Sequence, residues 1–321
     1  MLTVIVGLGS ALLFGFADFF GGLAAKRVSA IRVTALAAVT GLVALCIALP
    51  LLGGAWSWQA VVFGGLSGVA GAVAIVLLYA CLAMGPMSIL SPLTAVVSAI
   101  VPVIVGVSRG DRLTGLGYSA LALALVAIVL VAFVREERAV RPSLKALLMA
   151  VGSGAAIGLF LILIDLTPDD SGLVPLIANR AVNATLMFIS IGVLAVWAAR
   201  RPVRVAGVEL LNPTPGTGVG AGVAAKTRNG LRFKLQRAGW RAGWRAGLRF
   251  AIVCGVIDAV ANAVLLWGLR IGDLSVMAVL SALYPAGTII LAALVLRERI
   301  TLMQGLGLAL ALAAAGMLAL A

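Results

Sequence analysis

Apolar residues run in long unbroken stretches along this chain. They fall near residues 2–25, 31–52, 59–83, 87–107, 115–134, 144–165, 173–198, 250–270, 274–296 and 301–320. Each stretch is close to the ~20 residues an α-helix needs to cross a bilayer's hydrocarbon core. The breaks between them are chemically apt: Lys26 and Arg27, Gly53 and Gly54, Gly85 and Pro86, Arg109 to Arg112, the charge run from Arg135 to Lys145, and Asp169 with Asp170. Backbone in hydrocarbon must satisfy its own hydrogen bonds, which leaves helices or closed barrels, and these runs lack the alternation of barrel strands. The pattern therefore predicts an all-α integral membrane protein with ten transmembrane helices. The first stretch has no basic flank before it and no small-residue cleavage site after it, so it reads as a retained span.

Composition narrows this further. With 63% hydrophobic and 11% charged residues and a mean hydropathy of +1.19, the chain cannot cover a water-facing surface. The net charge of +13 lies almost wholly in loops flanking apolar runs, so it reads as a topology signal and not as a nucleic-acid surface. Loops after odd-numbered spans hold twenty basic residues and loops after even-numbered spans three, which predicts odd-numbered loops in the cytoplasm and both chain ends outside. The three cysteines, Cys46, Cys81 and Cys254, lie inside apolar runs with no disulfide or zinc spacing, and histidine is absent. No metal or other cofactor is expected, and any proton coupling falls to carboxylates.

The chain also repeats itself. Residues 63–134 align without a gap onto residues 250–321, matching Gly68 with Gly255, Gly85 with Gly272, Ser88 with Ser275, and Arg112 and Thr114 with Arg299 and Thr301. Asp111, Arg112 and Leu113 pair with Glu298, Arg299 and Ile300. Two five-span units, residues 1–140 and 141–321, each cross an odd number of times and so insert in opposite orientations, an inverted repeat of the kind that builds secondary transporters. The second carries an insertion at about 200–249. Within it Arg237, Arg241 and Arg245 recur every four residues, with Trp240 and Trp244 at the same period. On a helix that spacing places arginines against anionic headgroups and tryptophans in the interface; a low-complexity insertion without a role is the alternative.

The stretch LSALYPAGTIILAALVLRERITLMQGLGLALALAAAGMLAL (280–320), the Gly-Pro-x-Ser and Gly-Asp-Arg-Leu-Thr elements of the first half, and the opening FGFADFFGG resemble the EamA-type branch of the drug/metabolite transporter superfamily. The resemblance spans the chain apart from the 200–249 insertion and is weak for substrate, since that family moves amino acids, other metabolites and toxic compounds. It implies five-plus-five inverted halves around a central cavity lined mainly by spans one, three, four, six, eight and nine. It also implies chain ends in the cytoplasm, against the charge count. Asp111 and Glu298 match the family's acidic loop element, where a loop cap or interhelical salt bridge is the favoured role.

A charge near mid-bilayer costs about 2.5–3.5 kcal/mol on insertion scales and marks a functional candidate. Three positions qualify. Asp258 lies near the middle of span eight with Asn262 one turn later, Asp18 lies two thirds along span one, and Arg180 lies in span seven between Asn179 and Asn183. Asp258 with Asn262 reads as a substrate-ammonium or proton site, or as a structural hydrogen bond. Arg180 binds substrate, snorkels, or pairs with Asp18 or Asp165. If Arg180 and Asp258 share a cavity, they clamp the carboxylate and amine of a zwitterion such as an amino acid. Tyr79, Trp267 and Tyr284 line the cavity or belong to an interface belt. Pro92, Pro102 and Pro285 interrupt spans four and nine as hinge candidates.

These readings converge on a secondary transporter, of exporter type, for a small polar or amphipathic molecule, amino-acid-like above others, in the bacterial cytoplasmic membrane. A multidrug or cationic-compound exporter is the alternative, and a membrane-embedded enzyme on lipid-linked substrates a distant one. The chain has no P-loop. Its expected partners are a small-molecule substrate and membrane lipids, with anionic headgroups at residues 226–249 and no nucleic acid.

Overall fold

The computed structural model describes residues 1–28, 30–82, 84, 87–132, 142–200, 247–297 and 300–321. Ten helical spans long and apolar enough to cross a membrane occur among them, at the places the apolar runs predict, and the described residues hold no strand. They are α1 (Leu2–Ala25), α2 (Ala30–Leu52), α3 (Trp58–Leu82), α4 (Met87–Arg109), α5 (Gly115–Ala132), α6 (Leu144–Asp165), α7 (Val174–Arg200), α8 (Gly247–Ile271), the pair α9 (Leu274–Ser281) and α10 (Tyr284–Leu296), and α11 (Leu302–Leu320). The interface residues Arg237, Trp240, Arg241, Trp244 and Arg245 lie outside the described residues, as do Glu298 and Arg299.

Ten crossings place Met1 and Ala321 on one face, here the terminal face, with the basic loops on the other, the basic face. The ninth span is broken: α9 ends at Ser281, and α10 restarts with Pro285 in its first turn, where a missing N–H costs nothing. Pro92 and Pro102 are buried inside α4, whose helix runs on through both. A Cβ built at Gly158 would lie 3.0 Å from Pro102 Cδ, so Pro102 packs into the α4–α6 contact. α11 opens on a capping box in which Thr301 Oγ1 accepts from Gln304 N and Gln304 Oε1 accepts from Thr301 N, satisfying two backbone donors at the membrane surface.

Lipid offers no hydrophobic drive to bring helices together, so close approach rests on small residues. At Gly154 a Cβ would meet Thr94 O at 2.6 Å and Val97 Cβ at 2.7 Å, and at Gly68 it would meet Asn179 O at 2.5 Å. The α3–α6, α4–α6, α3–α7, α5–α11 and α1–α10 pairs form the bundle's main contacts. One apolar cluster joins α1, α4, α5, α9 and α11, and another joins α2 and α6 to α9. On α1, Gly15 packs closely against α10 while Gly22 has nothing within 4 Å of a built Cβ.

On the terminal face the connecting loops interlock. Ala55 N donates to Asp170 O at 2.8 Å, Gln59 Nε2 to Leu166 O at 3.0 Å, and Arg109 pairs with Asp165 at 3.1 Å. Arg270 is held by Thr167 O, Thr167 Oγ1, Ser171 Oγ and Asp169 Oδ1. Asp111 caps α9, as its loop position predicts: its Oδ2 accepts from Ser275 N at 3.0 Å and Ser275 Oγ at 2.6 Å. The Asp273 carboxyl nearby is raised above the usual carboxylate range by burial, with the charge of Asp111 adding to the effect.

Candidate functional site

The polar residues of α7 reach the interior because α7 lies so close to α3. Gly64 and Gly68 of α3 leave no room for a side chain against Pro175 and Asn179, so α7 turns the face bearing Asn179, Arg180 and Asn183 inward. Asn179 Nδ2 donates to Ser67 Oγ at 2.7 Å, and Ser67 Oγ donates to Gly64 O at 2.6 Å. Both side chains thus satisfy each other where water is scarce. α8 comes alongside α2 through Gly41, where a Cβ would meet Gly255 O at 3.0 Å and Ala259 Cβ at 3.5 Å.

This packing brings Arg180 and Asp258 into an ion pair. Asn262 Nδ2 donates to Asp258 O at 2.7 Å and to Asp258 Oδ1 at 3.3 Å, steadying the carboxylate from one turn away. The pair is not sealed, since Arg180 keeps 12% and Asp258 25% of side-chain surface open. Both line a cavity of about 240 Å³ with Phe14, Phe160, Asn179, Asn183 and Asn262. A water takes up about 30 Å³ of liquid, so the space holds several waters or one small metabolite.

Asp18 of α1 is exposed although Ala17 and Phe19 beside it are buried, and it is not among the residues that line this cavity. Of the candidates read from the sequence, Asp258, Asn262, Asn179 and Arg180 line this one cavity, and Asp18 and Tyr284 are not among its lining residues. Arg180 pairs with neither of its expected alternatives, Asp18 or Asp165; the latter is taken by Arg109.

Trp267 stands away from this cavity, 51% exposed in a separate apolar groove of about 670 Å³ between α2 and α8 that Arg270 and Asp169 also line. The 240 Å³ cavity takes residues from α7, which the resemblance did not assign, and none from α4, α9 or α10. Arg180 is the reason: its long side chain crosses from α7 to α8. Tyr79 lies on α3, and its side chain is outside the described residues. Ser67, Phe14 and Phe160 went unremarked, because a hydroxyl or ring in an apolar run carries no mark of which way it faces. Cys254 Sγ lies 3.2 Å from a Cβ built at Gly21.

The family model described as the EamA-like transporter family matches residues 144–320, more than half of the chain. The chain belongs to that family. It is an integral membrane protein and a transporter of the drug/metabolite transporter superfamily. A solved structure described only as a protein crystal structure covers 99% of this chain and 96% of its own at 16% identity, with a TM-score of 0.67, so the two share a fold. Among curated proteins, no sequence matches.

Proposed function

We propose that this protein is a secondary transporter, an exporter, that carries a small zwitterionic metabolite of amino-acid type by alternating access between two inverted five-span halves. The observation that carries the reading is the Arg180–Asp258 ion pair on the wall of a cavity in mid-membrane. In the empty protein each charge compensates the other. A zwitterion replaces that pairing, its carboxylate on Arg180 as a bidentate fork and its ammonium on Asp258, with no isolated charge at any stage. Asp18 has no cationic partner among the described residues. It is the group we assign to a coupled proton, because Asp258 is already paired with Arg180.

A melting screen of purified protein tests this, since specific ligands stabilise by mass action. Amino acids are expected to raise the melting temperature and nucleosides to leave it unchanged, with the rise lost in Asp258→Asn. Saturable counterflow of the stabilising amino acid in proteoliposomes should follow. No stabilisation by any amino acid, or flux that neither saturates nor responds to substrate on the far side, would sink the reading. The partly open Asp258 carboxylate, with 25% of its side-chain surface exposed, supports a second one, export of cationic compounds: a quaternary ammonium without a carboxylate would then stabilise the protein better than any zwitterion.

We further place the basic face in the cytoplasm, following the twenty-to-three bias of basic residues. Alkaline phosphatase fused after Ala321 is then active and a fluorescent protein fused there is dark; the reverse pattern would turn the molecule over.

A further inference from the structure

Alternating access requires one face to be shut while the other opens, and on the terminal face hydrogen bonds and an ion pair hold the loops of the two halves together. Five links there join the first five spans to the last five: Thr3 to Ile271, Ala55 to Asp170, Gln59 to Leu166, Arg109 to Asp165, and Asp111 to Ser275. Four of them are weak or exposed. Thr3, Ala55 and Gln59 reach only backbone carbonyls, and Arg109 keeps 39% of its side chain open to water, where ion pairs contribute little.

Asp111 differs in kind. Its carboxylate accepts two hydrogen bonds from the fully buried Ser275, one from the backbone N–H and one from the hydroxyl, at the positive end of a helix dipole. A tight turn aims it: Asp111 N donates to Gly106 O at 3.0 Å, and Gly110 takes a φ of 110° that favours glycine. The helix it caps is α9, the half of the ninth span that ends at Ser281 and is joined to α10 only through the break. A half-helix so joined tilts without carrying α10 with it. The turn also has no slack, because a Cβ on Gly106 would collide with Asp111 Oδ2 and Ser275 Oγ.

We propose that Asp111 is the latch of the terminal-face gate: its cap on Ser275 holds α9 against α4, and release of that cap permits α9 to swing and the cavity to open on that face. This rests on the alternating-access reading above and adds to it which contact must break. A charge-assisted pair of hydrogen bonds of this kind shifts a two-state balance by roughly ten- to a hundredfold.

The test uses the full chain in lipid nanodiscs, with Cys46, Cys81 and Cys254 replaced by alanine. Spin labels are placed at Tyr118→Cys and Asp170→Cys, both exposed near the terminal face and on opposite halves. Pulsed electron-spin distance measurement is expected to give mainly one short distance in the parent. Asp111→Ala and Gly106→Val, which break the latch from its two sides, should each raise the longer-distance population by the same ten- to hundredfold ratio. Ser275→Ala removes one of the two hydrogen bonds and should give a smaller rise, which keeps the test available if either larger change prevents folding. Distances unchanged from the parent in folded variants would overturn the latch. So would a rise with Gly106→Val but none with Asp111→Ala or Ser275→Ala. Two populations already equal in the parent and untouched by Asp111→Ala would remove the latch and leave alternating access standing. A single short distance in every protein, with or without a mixture of amino acids, would bring down both.

Discussion

Arg180→Ala protein is expected to lose transport and to become less stable by about 3 kcal/mol, the lower end of the range for breaking a buried pair. The lower end applies because Asp258 keeps a quarter of its side-chain surface open, so water partly compensates the orphaned charge. The informative comparison is the double variant Arg180→Ala with Asp258→Ala, which removes both charges. Stability should then return to within about 1 kcal/mol of the parent, as replaced ion pairs often show, while amino-acid counterflow stays at least tenfold down. Thermal melting and flux measured on the same preparations separate the two effects. Full transport by the double variant would make the pair a structural bridge with no share in binding.

Gly15→Val is expected to prevent assembly of the bundle. A Cβ at Gly15 would stand 2.5 Å from Tyr284 O, 2.6 Å from Thr288 N and 2.7 Å from Gly287 Cα, all backbone atoms that no rotamer change relieves. α1 and α10 would have to separate, losing the Thr288 Oγ1 hydrogen bond to Gly15 O at 3.2 Å. Even Gly15→Ala should cost roughly 3 kcal/mol, the upper part of the range for overpacking, and valine more. Gly22→Ala on the same helix meets nothing within 4 Å and should melt as the parent does. Monodispersity on size exclusion together with melting temperature reads the series. A well-folded Gly15→Val protein would mean that α1 and α10 do not pack as described.

The contrast between these two glycines shows how far the residues alone could be read. Both sit in one apolar run with the same chemistry, and only the placement of α10 separates the packed one from the open one. The same applies along one helix. Trp267 and Asn262 both lie on α8, yet one lines the groove between α2 and α8 and the other the cavity that holds Arg180. Asp111 was legible as a loop cap from its place beside Arg112 and Leu113, but nothing local to it named Ser275, 164 positions away, as its partner.

The sequence by itself determined the solvent, the helix count and the shortlist of charges. Those follow from local free energies: an apolar run of bilayer length must be a helix, and a charge that persists inside it must have a partner. Which charge meets which was decided by tertiary structure alone, because Arg180 and Asp258 are joined by the angle at which α7 and α8 pack through glycines. That angle is a property of several helices at once, so no single run contains it.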